Sequence, residues 1–267
     1  MKHPFISLTS DFGVQSQGVG IMESVAREIA PDAQVVHFMH GLPDFDIRCA
    51  ARTMETVKDL QVGCHVCVVD PGVGTKRRGI IIKTKRGDYL IGPDNGVLLP
   101  ATQILGGAKK VVSIENPKYM RQPVSPIFHG RDVFVPAAAY LANGVPIEEF
   151  GSEIPFESLI RAPYDEAKVK GNTIEAEVIH INKFGSIHLN ITHAQWEQLG
   201  LKHAHSVLLR FGKNEIPMPF VRTFGEVEPG HPLILKDDYG RVEAALNMGN
   251  FSQSYTVSTG DQCIITF

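Results

Sequence analysis

The apolar positions of the first seventy residues switch repeatedly between two periods. Residues 4–9 form a nearly continuous apolar run, after which Val19, Met22, Ala26 and Ile29 recur at intervals of three and four. The run reads as a buried strand and the recurrence as one face of a helix. On that reading a strand covers 4–9, and a helix over 18–30 is stopped by Pro31. A second strand follows over Gln34–Met39. A second helix over 44–60 places Ile47, Ala50, Ala51, Met54 and Val57 on one face, and a third strand covers 65–69. Strands alternating with helices of this length predict a largely parallel, Rossmann-like sheet with right-handed crossovers.

Beyond residue 70 the pattern predicts strands over 79–83 and 89–91, joined through KTKRGD as a hairpin. Pro93-Asp94-Asn95-Gly96 is a turn signal. A helix is expected from Val97 and a strand over 111–114. Phe128-His129-Gly130-Arg131-Asp132 then leads into VFVPAAAYLANG, with Asp132 as the expected N-cap, Pro136 in the first turn and Gly144 as the stop. From Asn172 the pattern changes to short alternating runs, with turns at Lys213-Asn214 and Tyr239-Gly240 and one short helix over 194–199. The expected organisation is an N-terminal α/β domain over 1–153, a proline-rich charged linker over 154–171, and a C-terminal all-β, barrel-like domain over 172–267.

Composition narrows the class. Of 267 residues, 43% are hydrophobic and 21% charged, an ordinary globular balance. Lysine and arginine number 26 against 29 acids, so no basic field exists to recruit nucleic acid. No apolar run reaches the roughly 18 residues of a membrane span, and the N-terminus lacks a secretory pattern. The expectation is a cytoplasmic protein with neither nucleic acid nor membrane as partner. Cys64 and Cys67 have CxxC spacing but lie in an alternating apolar run, so they read as core residues of a strand.

The topology predicts where chemistry collects. In open α/β sheets, ligands bind beyond the carboxyl ends of the strands. The residues there are Ser10-Asp11, His40-Gly41 and Asp70-Pro71-Gly72. The stretch Val69-Asp70-Pro71-Gly72-Val73-Gly74-Thr75-Lys76-Arg77-Arg78 ends a strand on a carboxylate and then brings back two arginines, with glycines that let backbone approach a ligand. An Asp–Arg pair there is chemically sensible, since arginine keeps its proton and favours the carboxylate. A tight turn with two solvated arginines is the plain alternative. Asp11 is placed either to cap the next helix or to accept from a ribose diol. His129 lies just before a helix N-terminus, a position that favours anions. No HExxH pattern or close His/Asp ligand cluster is present in the sequence.

TSDFG, VVDPGVGTKRRG, GPDNGVLL and FHGRDVFVPAAAYLANG, in this order, resemble the S-adenosylmethionine (SAM) hydroxide adenosyltransferase family, the hydrolase branch of the fluorinase and chlorinase superfamily. The similarity spans Phe5 to about Gly151 and continues more weakly through INKFGSIHLNI. The resemblance implies an N-terminal α/β domain, a C-terminal barrel and a homotrimer with SAM between subunits. It implies no cofactor, SAM being the substrate, which water or hydroxide splits to adenosine and methionine at ribose C5′. It assigns water activation to Asp70, Arg77 and His129, the ribose hydroxyls to Asp11, the nucleoside to Phe45, and the remaining contacts to Asn182, Phe184 and Ser186. Departures fall outside the water-activating set: Ser16 and Gly18 replace an Asp and a Tyr, Asn182–Ser186 replaces D-x-F-G-N, and Lys236-Asp237-Asp238 stands where relatives carry Asn-Ser. Two other readings stay open, a non-catalytic SAM or nucleoside binder and a metal-dependent hydrolase built on Asp11, His40 and Asp70.

Overall fold

The computed structural model describes residues 4–203 and 205–267. Residues 1–3 and Ala204, which the domain reading includes, lie outside the described residues. The chain divides into two compact units, the first ending at Pro163 and the second beginning at Tyr164.

The first unit holds β1 (Phe5–Ser10), α1 (Gln17–Ile29), β2 (Gln34–Met39), α2 (Ile47–Glu55), β3 (Cys64–Val68), β4 (Gly79–Thr84), β5 (Tyr89–Pro93), α3 (Leu99–Ile104), β6 (Ala108–Ser113) and α4 (Val135–Ala142). Its sheet has the order β2-β1-β3-β5-β4-β6. Every residue of β1 and β3 is buried, as their continuous apolar runs require. Ile6, Leu8 and Val66 pack there with Met22 of α1 and with Phe134 and Ala138 near and within α4.

The sheet is mixed, with three of its five strand pairings parallel. β1 pairs parallel with β2 and β3, and β3 with β5, but β4 runs antiparallel to both β5 and β6. The cause is the short turn after Thr84, which returns the chain as a hairpin and is too brief for a crossover. Because β4 runs against β3, the residues entering β4 lie at the same sheet edge as those leaving β1, β3 and β5. Asp11, Asp70, Arg77, Arg78 and Asp94 share that edge.

Helix details differ from the periodic reading in two places. α2 begins at Ile47, where the Asp46 side chain accepts from Cys49 N, and it tightens into a 3₁₀ turn over Thr56–Asp59. Asp132 is not the cap expected of it. A π-helical turn, Gly130–Phe134, precedes α4, and Asp132 lies buried within it. Its carboxylate accepts from Ser125 N at 2.8 Å and Arg131 Nε at 2.6 Å, so a carboxylate that would otherwise be costly to bury is paired. Pro136 falls in the first turn of α4, and Gly144 N donates to Leu141 O at 2.9 Å, closing the helix where expected.

The second unit holds β7 (Lys168–Lys170), β8 (Thr173–Ile181), β9 (Ile187–Thr192), α5 (His193–Gln198), β10 (Ser206–Phe211), β11 (Asn214–Pro219), β12 (Pro232–Lys236), β13 (Arg241–Leu246), α6 (Phe251–Tyr255) and β14 (Gln262–Thr266). The strands follow the order β11-β10-β14-β8-β9-β13-β12, with β7 on β8 and every neighbouring pair antiparallel. Phe220, just past β11, bridges Ile234 of β12, and Val221 N donates to Ile234 O at 2.9 Å. The sheet is thereby nearly closed and barrel-like, which shields its strand edges. Trp196, Ile174, Leu189 and Phe251 are fully or almost fully buried inside it. α6 is too short, at five residues, to leave a periodic signal. Among the described residues no helix is long and apolar enough to cross a membrane.

Candidate active site

Arg77 is the hub of the polar cluster at the first unit's sheet edge. Its Nε donates to Asp70 Oδ1 at 3.1 Å, and its Nη2 donates both to Asp70 Oδ2 and to His129 Nδ1, the latter at 3.0 Å. The Arg77 and Asp70 side chains are 8% and 5% exposed. The guanidinium carbon lies 5.2 Å from the centroid of the buried Phe134 ring, which also meets the His129 ring edge-on at 6.3 Å. Phe134 thus backs both groups, and the π-helical turn between His129 and Phe134 lets two side chains five apart do so. The three residues the resemblance singled out are therefore in direct contact, with chain separations of 7 and 52 residues.

Electrostatics fix the state of the histidine. Arginine has no acceptor to offer, so His129 Nδ1 must accept from it, and a neutral ring then carries its proton on Nε2. Burial pushes the His129 pKa below its ordinary value, and the Arg77 charge pushes it further down. Asp70 is the sole anion of the trio.

The His129 backbone is equally constrained. A Cβ on Gly130 would meet Met22 Sδ at 2.9 Å and Val68 Cγ1 at 3.1 Å, so α1 and β3 close directly on this turn. In the Asp70–Arg78 stretch only Gly74 needs to be bare. Its φ is +76°, and a Cβ would meet Pro126 O at 2.5 Å. That close approach is to the chain's own 124–128 segment rather than to a ligand, and Gly72 has ordinary room. The two arginines also part company. Arg78 Nε donates to Asp94 Oδ2 at 2.9 Å, and Asp94 Oδ1 accepts from Ile160 N, so this second pair ties the PDNG turn to the 155–160 segment.

A cleft of about 290 Å³ opens beside the trio, lined by Asp11, Phe45, Asp70 and His129 together with Phe12, Asp44 and Phe128. Asp11 is not a helix cap. Ser16 caps α1, and Asp11 Oδ2 accepts from Phe45 N at 3.0 Å. Phe45 has φ +61° and is 69% exposed, so an exposed aromatic is held in a strained backbone state at the cleft rim. Asp44, a further carboxylate on this cleft, was missed in the sequence because it reads as the start of the second helix. Phe128 was missed as well; it meets Phe12 edge-on at 5.8 Å and lies under Arg131, whose guanidinium carbon is 5.0 Å from the ring centroid.

Asn182, Phe184 and Ser186 lie in the second unit, in the turn between β8 and β9. They line a separate cleft of about 570 Å³ with Phe224, Glu243 and Met248, three residues the sequence reading did not single out. Phe184 is 67% exposed and Met248 87%, so this cleft too carries unusually open apolar surface.

The remaining candidates do not join either cleft as ligands. Cys64 and Cys67 are buried free thiols in β3, as read, and burial raises the Cys64 pKa to about 12. His40 Nδ1 is 2.7 Å from Ser10 Oγ, and its Nε2 is 2.9 Å from His37 Nδ1, so both nitrogens are committed within the protein. No group of three or more His, Cys, Asp and Glu poised to hold a metal occurs among the described residues. Ser7, His65 and Asp88 form a chain of contacts at 2.8 and 3.1 Å that mimics a hydrolytic triad. All three are fully buried, with no access for a substrate.

Comparisons with known proteins agree with this layout. Residues 6–151 match the SAM hydroxide adenosyltransferase N-terminal domain, and residues 176–264 match the C-terminal domain. An (R)-S-adenosyl-L-methionine hydrolase from Salinispora arenicola is 37% identical over 98% of both chains. One from Thermus thermophilus is 35% identical over 94% of this chain and 95% of its own. A fluorinase from Actinoplanes is 22% identical over 99% and 98%. The crystal structure of an uncharacterized conserved protein from Thermotoga maritima superposes with a TM-score of 0.91 at 31% identity, covering 98% of this chain and all of that one. On these grounds the chain belongs to the SAM hydroxide adenosyltransferase family, a family of enzymes.

Proposed function

We propose that the protein hydrolyses SAM, or a close adenosyl compound, to adenosine and L-methionine by attack of water or hydroxide at ribose C5′. The observation that carries the proposal is the Asp70–Arg77–His129 contact set on the wall of a cleft that also holds Asp11 and Phe45. The leaving group of a sulfonium is a neutral thioether, so the reaction needs no general acid. It needs an oxygen nucleophile held in line with the C5′–S bond, and such positioning is worth about 7–11 kcal/mol in favourable cases.

The tautomer supports a division of roles. With Nδ1 occupied by Arg77, His129 offers an Nε2–H donor to the water oxygen and cannot also remove its proton. Asp70 is left as the acceptor. As the C5′–O bond forms, the C5′–S electron pair passes to sulfur, a water proton passes to Asp70 and then to solvent, and Arg77 stabilises the developing hydroxide character. Asp11 holds the ribose hydroxyls, Phe45 packs on the nucleoside, and Phe184 and Ser186 of the barrel serve the base. The same reading makes the assembly a homotrimer, checked by sedimentation.

The test is incubation of the purified protein with each sulfonium epimer of SAM, since the relatives' name specifies R, with and without a chelator. Adenosine and methionine are followed by chromatography. Time-dependent, chelator-insensitive formation of both products is expected. Saturable binding of SAM or adenosine without products would replace this reading with that of a non-catalytic binder.

A further inference from the structure

The barrel hides a buried histidine–aspartate pair beneath the turn that carries Phe184. His188 Nδ1 and Asp237 Oδ2 are 2.8 Å apart, with side chains 7% and 2% exposed and 49 positions apart in sequence. The carboxylate's other oxygen accepts from Tyr239 N at 2.9 Å and Arg241 N at 2.8 Å. With two backbone donors on it, the Asp237 carboxylate takes a third from His188, which fixes the ring proton on Nδ1. His188 Nε2 then accepts, and its partner is Asn182 Nδ2 at 3.4 Å.

That contact decides which way the Asn182 amide points. With Nδ2 turned to His188, Oδ1 faces the turn and accepts from Phe184 N at 3.0 Å and Ser186 N at 3.2 Å. The backbone closes the same turn, as Asn182 N donates to Ser186 O at 3.0 Å and Gly185 N to Asn182 O at 2.9 Å. An amide flipped the other way would place its NH₂ against two backbone N–H groups. The order of dependence runs from Asp237 through His188 and Asn182 to the turn bearing Phe184 and Ser186.

We propose that His188, its tautomer set by Asp237, is a positioning residue that pre-organises the 182–186 turn through Asn182, so that the exposed Phe184 ring stands ready to receive a flat base. Asn182 is then a staple of that turn rather than a contact to the ligand. The proposal rests on the reading above that Phe184 serves the nucleoside base. Holding an aromatic platform in its bound geometry lowers the ordering cost on binding and acts on affinity rather than on the chemical step.

Two replacements at one position separate positioning from mere support of the buried charge. His188→Gln keeps an acceptor near the Nε2 position and loses the partner of Asp237. His188→Asn keeps a donor near the Nδ1 position and loses the acceptor toward Asn182. Positioning predicts that His188→Asn raises KM for SAM about tenfold with kcat little changed, while His188→Gln stays near the parent KM despite a lower Tm. The reverse ranking overturns the proposal. Asn182→Ala, at the cleft rim, is expected to reproduce the His188→Asn effect without threatening the fold, and an unchanged KM would overturn it equally. If SAM is not turned over at all, the functional reading fails separately. The staple is then read from amide exchange of the unliganded protein, where Phe184 and Ser186 N–H should exchange faster in both His188→Asn and Asn182→Ala. Unaltered exchange in both variants removes the proposal.

Discussion

Arg77 Nη2 lies 3.0 Å from His129 Nδ1, so the histidine beside the cleft is an acceptor at one nitrogen and a donor at the other. A base role for His129 would require the opposite arrangement. His129→Gln retains an N–H donor near the Nε2 position, and His129→Ala retains none. The Gln variant should keep measurably more turnover, with Ala losing about 100-fold or more in kcat. Both should bind adenosine as the parent does. Equal rates for the two variants, measured under saturating SAM, would remove the donor role.

Asp70→Asn carries a second cost. It deprives the buried Arg77 charge of its counter-ion, and breaking such a pair typically destabilises by about 3–5 kcal/mol. The variant should therefore show both a large loss of kcat and a lowered Tm. Arg77→Lys keeps the charge but loses the planar fork that spans Asp70 and His129, so it should rescue stability more than rate. Calorimetry paired with steady-state kinetics tests this split.

The imidazole titration of His129 gives an independent check on its neutral state. Burial first, and the neighbouring guanidinium second, lower its pKa. Its NMR titration midpoint should fall below the ordinary histidine value of about 6.5. The acid limb of the rate profile should track it, because a ring protonated at both nitrogens has no acceptor left for Arg77. A midpoint above that value would mean that the Arg77 contact is not maintained in solution.

Phe45 offers a case in which stability and binding separate. Its backbone sits at φ +61°, and its ring is largely exposed. Phe45→Gly relieves the left-handed strain, while the freer unfolded chain takes back a similar amount, so stability should change by less than about 1 kcal/mol. KM for SAM should nevertheless rise several-fold through loss of the aromatic wall. A KM equal to the parent's would exclude Phe45 from the binding surface.

His40 predicts a pH dependence of stability. Burial, and then the nearby His37, lower its pKa to about 4. The groups facing it are Ser10 and His37, the latter backed by Glu23 at 2.9 Å. Between the ordinary value of about 6.5 and the folded value the unfolded chain binds the extra proton, so stability is lost as pH falls through this window. The loss should approach about 3 kcal/mol by pH 4 and level off below it. Urea unfolding at successive pH values measures it, and His40→Asn should flatten that part of the curve.

Local pattern carried most of the architecture. The apolar runs of β1 and β3, the Val19–Met22–Ala26 face of α1 and the hairpin from β4 to β5 were all legible, because each depends on residues close in sequence. That β5 rather than β4 lies beside β3 was not legible from alternation, and it is the antiparallel β4 that carries Arg77 back to Asp70. The Asp70–Arg77–His129 contact was anticipated only through long matching motifs, since no local rule joins residues 70 and 129. Asp132 was misread as a cap because its partners, Arg131 and Ser125, satisfy it inside a π-helical turn. The His188–Asp237 pair was not legible either: Asp237 stood out only within Lys236-Asp237-Asp238, as a departure from the relatives, and no local rule joins it to His188 across β9 and the end of β12.

Gly130 sets a boundary for anyone redesigning the chemistry. Its missing side chain is what allows α1 and β3 to close beside His129. A library that varies the cleft rim at Asp44, Phe45 or Phe128 explores new ligands while leaving the Asp70–Arg77–His129 contacts in place. A library that varies position 130 displaces the histidine before any new specificity can be sampled, so the two kinds of diversity need to be kept apart.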